Sequence, residues 1–502
     1  MRKLISLFLA LVLTMSMASF AVAEAAPETV TIMFHGSNVT DDTEVLAKLN
    51  EYLGEKIGVN VDVIWGTWGD FDEKSTTAIT GGDTAIDMYF TCSWSADEYN
   101  SFAKKGYWLK LDDLLKEYAP EFCAVLPETL MKGATIEGSD GLGVYAVNGY
   151  KDYATQVCWD VNVKLLEELG FKLDDIKGGL DFYTMGDMLA KAKEVKGDSF
   201  YPLLVEPMVL ERMVNNTIIV TGDSGNTNLM SYYVDPTDVS KPSSYGNVLL
   251  NKFATDEYKK FAEKVREYYV AGYIDPSLAV AETSNETRTN KQLTGEYLFG
   301  TQSYALGYEF QASQERGFEV AMIPTMPPYV DTTVSQGAMV AISSASAHPE
   351  ASMKFLNLLN TDPVVMTLLN YGVEGVHYTL EDGLVKFTDK RDDYMPWRNG
   401  MGNITLLPAT VDEGADYWNK TFIPYYNSAK GVPTLGFIFD PANIEVEMSA
   451  LSNVAAQYAL ALDAGAVDPA TELPKFLEAL EAAGMQKYME EANAQLTAFL
   501  AK

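Results

Sequence analysis

Aromatic rings stand beside small hydrogen-bonding side chains at three points near the start of the chain: His35-Gly36-Ser37, Trp65-Gly66-Thr67-Trp68 and Cys92-Ser93-Trp94. A fourth such point is Met395-Pro396-Trp397-Arg398-Asn399-Gly400. A flat aromatic face is apolar, and hydroxyl or guanidinium groups beside it give directed hydrogen bonds. That combination suits a ligand with apolar faces and a polar rim, as a sugar ring has. Each ring also has a packing role open to it. Trp94, beside Ser93, either lines a cleft or packs at a strand end. One of Trp65 and Trp68 is expected to face outward. Trp397 and Arg398 either recognise a ligand or stack on each other.

Catalytic chemistry finds less support. The three histidines, His35, His348 and His377, lack the spacing of a zinc site, and no metal or other cofactor is expected. There is no GxSxG elbow and no phosphate-binding loop. Glycoside hydrolysis needs two placed carboxylates, and with 70 Asp and Glu chance pairs abound, so that chemistry stays a remote alternative. Cys92, Cys123 and Cys158 are an odd set without CxxC spacing; free thiols are the default reading, a Cys92–Cys158 bridge the alternative.

The elements that must hold these residues alternate. A strand at Val30–Phe34, a helix near 42–57, a strand at Val59–Trp65, a helix near 71–80 and a strand ending at Thr91 read as β-α-β-α-β. This is a parallel sheet, in which ligands gather at the carboxyl ends of the strands, where the first three aromatic clusters lie. The alternation resumes at Val157–Val161. From Thr255, Tyr258, Phe261, Ala262, Val265, Tyr268 and Tyr269 follow helical spacing and read as core. The last 30 or so residues read as a helical tail with Met485, Tyr488, Met489, Ala492, Leu496 and Phe499 on one face.

With 502 residues the chain should hold two domains or more. A formal charge of -33 speaks against nucleic acid and anionic lipid as partners. Arg2-Lys3, the apolar run from Leu4 to Leu13 and Ala21-Val22-Ala23 read as an export signal, residues 1–23, cleaved before Glu24. No later stretch approaches the roughly 20 apolar residues of a membrane span.

Several stretches carry a family resemblance: Lys105-Gly106-Tyr107-Trp108-Leu109-Lys110-Leu111-Asp112-Asp113-Leu114-Leu115, Ala271-Gly272-Tyr273-Ile274-Asp275-Pro276, His348-Pro349-Glu350-Ala351-Ser352-Met353-Lys354-Phe355-Leu356-Asn357, Tyr371-Gly372-Val373-Glu374-Gly375 and Gly436-Phe437-Ile438-Phe439-Asp440-Pro441. In their order and spacing the chain resembles the extracellular solute-binding proteins of carbohydrate ABC importers (family 1), the long lipoprotein-type group of Gram-positive bacteria. It departs from that group in lacking the lipid-attachment Cys at the expected place.

The resemblance implies an α/β, two-lobed, periplasmic-binding-protein-like fold (type II) with a helical C-terminal module. It places one lobe at 27–150 plus 325–375 and the other at 151–324 plus 376–502, which puts Trp94 and Trp397 on opposite walls of a cleft. Asn148, Tyr150 and Tyr153 would lie near the first crossing, and Gln302 and Tyr304, after an apolar strand at Tyr297–Phe299, would reach the cleft. His35 is a further candidate. The function implied is a secreted, non-enzymatic monomer, extracellular or cell-surface associated (periplasmic if there is an outer membrane). It would capture an oligosaccharide and pass it to membrane permease subunits. A peptide-binding protein or a ligand sensor for a signalling receptor is the alternative.

Overall fold

The computed structural model describes residues 27–222 and 228–501; the export signal expected at 1–23 lies outside the described residues. Nine strands build two sheets: β1 (Glu28–Phe34), β2 (Val59–Trp65), β3 (Met88–Thr91), β4 (Val147–Asn148), β5 (Gln156–Asn162), β6 (Leu203–Leu204), β7 (Phe299–Tyr304), β8 (Val320–Pro324) and β9 (Met339–Ile342). The first sheet has the order β2-β1-β3-β9-β4, with β1 parallel to β2 and β3 and the returning β9 antiparallel to β3 and β4. The second has the order β8-β5-β7-β6. Each sheet is the centre of one lobe.

Local sequence explains the elements. In β2 the β-branched Val59, Val61 and Val63 point into the core while Asp62 faces out, the alternation a one-sided strand requires. Helix α1 (Thr43–Ile57) buries Val45, Leu49 and Leu53, one turn apart, and α2 (Phe71–Gly81) buries Phe71, Ser75 and Ile79. In the second lobe lie α3 (Pro207–Asn215) and α4 (Asp256–Val270). Thr255 caps α4 by accepting a hydrogen bond from the Tyr258 N–H, and its Tyr258, Phe261, Ala262, Val265 and Tyr268 are buried. Back in the first lobe, α5 (Pro349–Thr361) and α6 (Pro363–Tyr371) both start with proline, and both pack on α1. The tail folds into α7 (Glu445–Asp463), α8 (Pro469–Ala482) and α9 (Met485–Leu500). Helices α7 and α8 pack on α3 and α4, and α9 buries Met485, Tyr488, Ala492 and Leu496.

Three segments cross between the lobes. The first joins β4 to β5, the second β8 to β9. They hydrogen-bond to each other, Thr155 N–H to Tyr329 O at 2.7 Å and Tyr329 N–H to Thr155 O at 2.9 Å. Tyr329–Val330 of the second also pairs in parallel with Lys430–Gly431 of the third.

The structure corrects two expectations. Residues 376–407 do not belong wholly to the second lobe: Tyr394–Met395 pairs with Asn38–Val39, and the Arg391 guanidinium donates to the Asn370 carbonyl of α6, so this stretch packs on the first lobe. The strand expected at Tyr297–Phe299 runs from Phe299 to Tyr304 instead, because pairing with β5 continues through Tyr304 opposite Gln156. Cys92 and Cys158 are free, buried thiols in different lobes, which agrees with the default reading and not with the alternative bridge.

The helical tail is docked through buried charge. Asp463 of α7 accepts the Tyr258 hydroxyl at 2.6 Å, beside Lys252, whose ammonium is 3.7 Å from the Glu211 carboxylate of α3. Burial raises Asp463 to about 6, with Lys252 partly opposing. The folded pKa exceeds the ordinary 3.8, so its contribution to stability is fully present below about pH 4 and is lost as pH rises through 6. Asp463→Asn keeps the acceptor for Tyr258 and removes the titration. Urea unfolding across pH 4 to 7 should show the variant gaining on the parent as pH rises, by on the order of 2 kcal/mol in all. Parallel stability curves would refute the assignment.

Candidate functional site

The parallel register brings three strand ends to one place. Phe34 lies beside Trp65, and Met33 beside Tyr89, so the residues just after β1, β2 and β3 emerge together. His35 is 4% exposed and sits among the rings of Phe71 (4.5 Å), Trp68 (4.6 Å), Phe90 and Trp94 (both 5.4 Å) and Trp397 (6.2 Å). Gly36 has φ +72, and a Cβ there would meet the Trp68 ring at 2.8 Å, so the turn admits only glycine. Above this base Trp68 and Trp94 stack, with centroids 6.1 Å apart and planes 23° from parallel. They stay 62% and 47% exposed. Such exposure is rare for tryptophan away from a binding surface. The Trp94 indole N–H donates to Gly337 O (3.0 Å), and the Ser93 hydroxyl to Thr333 O (2.9 Å), so both are fixed to the second crossing.

Trp397 joins the same cluster, 5.0 Å from Trp68 and 6.0 Å from Trp94. The expectation that Trp94 and Trp397 face each other from opposite lobes is therefore corrected: the pairing of 394–395 with 38–39 carries Trp397 to the first lobe. A groove of about 490 Å³ runs past Gly36, Thr67, Trp68, Met395, Trp397 and Arg398. Arg398 does not stack on Trp397. Its guanidinium donates to Glu413 at 2.8 Å and lies 5.9 Å from the Trp418 ring. Trp65 points away from the cluster, its indole N–H on Asp42 (2.8 Å) and its ring against Tyr394.

The crossings form the floor. Asn148 is buried and spends its amide on Ser335 O at 2.8 Å, a structural bond. Tyr150 and Tyr153 are 5.5 Å apart, and a tyrosine row continues through Tyr426, Tyr425 and Tyr304, from the first crossing to β7. Lys151 and Asp152 sit between this row and the tryptophans. The Lys151 ammonium donates to Asp152 Oδ1 (2.9 Å) and O (3.1 Å), close enough to Gly337 that a Cβ there would meet it at 3.3 Å. Burial, and then the Asp152 charge, hold the Tyr426 phenol well above its ordinary pKa. Lys151, Asp152, Tyr425 and Tyr426 were not singled out from the sequence; a charged dipeptide between two strands and a tyrosine doublet were the available signals.

On the second lobe Gln302 and Tyr304 lie within β7. The Gln302 amide donates to Ser303 O (2.9 Å), while its Oε1 is buried without a partner among the described residues. The Tyr304 hydroxyl donates to Glu309 at 3.3 Å. Among the described residues no group of three or more His, Cys, Asp and Glu side chains could hold a metal ion.

His35 makes the aromatic base sensitive to acid. Burial lowers its pKa below 6.5, with Asp72 partly opposing. A depressed pKa means that its stabilising contribution is complete above about pH 6.5 and declines as pH falls toward the folded value. His35→Gln should therefore lose less stability than the parent between about pH 7.5 and pH 5.5 in urea unfolding followed by tryptophan fluorescence. Equal losses would show that His35 does not titrate against the fold.

Residues 36–197 match the profile of the bacterial extracellular solute-binding proteins, and 433–501 match a domain of unknown function. A carbohydrate ABC transporter substrate-binding protein of Streptococcus pneumoniae serotype 4 is 26% identical over 468 residues, 91% of this chain and 88% of that protein. The crystal structure of the N-glycan transport solute-binding protein NgtS of Streptococcus pneumoniae aligns with a TM-score of 0.77 at 23% identity. The alignment covers 95% of this chain and 99% of that one. The same protein in complex with Man1GlcNAc aligns at 0.67 and 23%, covering 95% and 100%. The chain thus has the two-lobed α/β fold of the bacterial solute-binding proteins, and its residues 36–197 match the sequence profile of that family.

Proposed function

We propose that the chain is an exported solute-binding protein that captures an oligosaccharide between its lobes and presents it to the permease subunits of an ABC importer, without altering it. The observation that carries this reading is the half-exposed, stacked Trp68–Trp94 pair at the converging strand ends, fixed to the crossing between the lobes. A sugar ring can lie on such a surface and hydrogen-bond at its edges. Closure about the crossings would then sandwich it against the second lobe. The names of the relatives, a carbohydrate transporter's binding protein and an N-glycan transport protein, support the same class. Residues 1–23 and the family's extracellular description support a location outside the cytoplasmic membrane.

A thermal-shift panel of Man1GlcNAc, Man5GlcNAc, maltotriose and an unrelated peptide tests the class. A bound sugar at 100 times its Kd should add about 2.7 kcal/mol to stability and be recovered intact. Turnover of the sugar, or stabilisation by the peptide alone, would overturn the reading. Trp68→Ala should weaken sugar binding roughly tenfold, the equivalent of about 1.4 kcal/mol. It should leave urea unfolding nearly unchanged, since the ring is mostly exposed. Trp397→Ala should instead lower stability as well, because its ring is partly buried against the hydrophobic core and beside Gly400.

A further inference from the structure

Resting on the reading above, we propose that Lys151 and Asp152 read a pair of adjacent hydroxyls on one ring of the ligand, and so set the orientation and neutrality of the sugar that the cleft accepts. Lys151 is buried, 9% exposed, and its ammonium pairs with an Asp152 carboxylate whose side chain is 29% exposed. It occupies the first crossing, next to Gly337, the residue that holds the Trp94 indole. Asp152 stands on the other side, beside Tyr426 and Tyr417.

An ammonium has three N–H donors. Among the described residues two acceptors meet it, both on Asp152. One donor is left, and on Asp152 one carboxylate oxygen, Oδ2, is left beside it. The pair therefore offers one donor and one acceptor on adjacent groups, the combination that two neighbouring hydroxyls on a ring can satisfy. One hydroxyl accepts from Lys151 while the next donates to Asp152. Charge-assisted bonds of this kind are about twice as strong as neutral ones. Because the two charges already cancel, a neutral ring leaves the pair balanced, whereas a carboxylated ring would set an uncompensated charge beside Asp152.

The test uses the full-length exported protein and whichever of Man1GlcNAc, Man5GlcNAc and maltotriose gives the largest thermal shift, with monodeoxy analogues of its rings. Calorimetry on the parent should find two adjacent hydroxyls whose removal weakens binding at least tenfold. K151M and D152N should each bind the intact sugar at least tenfold more weakly, yet each should bind the deoxy analogue that lacks the hydroxyl its own residue contacts as tightly as it binds the intact sugar, while staying sensitive to loss of the other hydroxyl. Such non-additivity reports contact between the altered groups. K151R, which keeps the donors and the charge, should recover part of the affinity. Urea unfolding of each variant separates lost contact from lost fold, and D152N, which removes charge without changing size, stands in if K151M fails to fold. If no sugar stabilises the parent, the functional reading itself falls. If the parent binds sugar but the variants bind as tightly, or lose affinity equally for intact and deoxy sugars, this proposal falls while the reading stands.

Discussion

The parallel register of β1 with β2 and β3 is the constraint on which the site depends. Hydrogen bonding that sets Phe34 against Trp65 and Met33 against Tyr89 leaves no freedom in where the three strands end. All three chains must then turn away at one edge of the sheet. Ser37 N–H donates to Gly66 O and Gly66 N–H to Phe34 O, so the turns also bond to each other. A shift of one residue would send Trp68 and Trp94 to different heights and turn alternate side chains to the wrong face. The core beneath, Ile32, Phe34, Val61 and Phe90, holds the register because each residue is buried only in this alignment.

The crossings give that rigid edge something to work against. Three backbone segments pass between the lobes and bond to one another, so the hinge is a narrow strip of sheet-like structure and not a free linker. Trp94 and Ser93 are fixed to one of these segments, and Lys151 and Asp152 lie on another. On the proposed reading, bending at this strip would move the second lobe, with Tyr304 and Gln302 on β7, relative to the tryptophans. Stacking surface, polar floor and moving wall would then come from the first sheet, the hinge and the second sheet respectively.

What was legible in the sequence was what local patterning controls. The β-α-β-α-β start, the boundaries of β2, the aromatic core of α4 and the buried face of α9 follow from residue periodicity and caps, and the strand-end rule pointed to Trp68, Trp94 and His35. What was not legible depends on contacts distant in sequence. Trp397 reaches the first lobe through a pairing only two residues long, Asn38–Val39 with Tyr394–Met395, too short to leave a pattern. Gln302 and Tyr304 read as a loop because Gly300-Thr301 interrupts the apolar run, yet pairing with β5 carries the strand through them. Asn148 and Trp65 have the chemistry of a ligand contact, but their polar groups are taken by Ser335 and Asp42. Lys151–Asp152 is a dipeptide in a crossing, and nothing in its spacing separates it from any solvated charge pair.

Electrostatics tie these features to one kind of ligand. A chain with a formal charge of -33 repels anions, and over a Debye length of about 8 Å that field reaches across a narrow cleft. The buried interior largely pairs its charges, Arg316 with Asp160 and Lys252 with Glu211, as low dielectric demands. The cleft floor follows the same rule in Lys151 and Asp152. Arg398, the cation nearest the tryptophans in sequence, is held by Glu413 and is not free for an anionic group. An acidic ligand would therefore enter a repelling field and find the Arg398 guanidinium already paired with Glu413. On the proposed reading a neutral polyhydroxylated ring meets no such barrier: it would gain stacking area on Trp68 and Trp94 and hydrogen bonds from groups whose charges already balance. The paired charges let the cleft be polar without being charged.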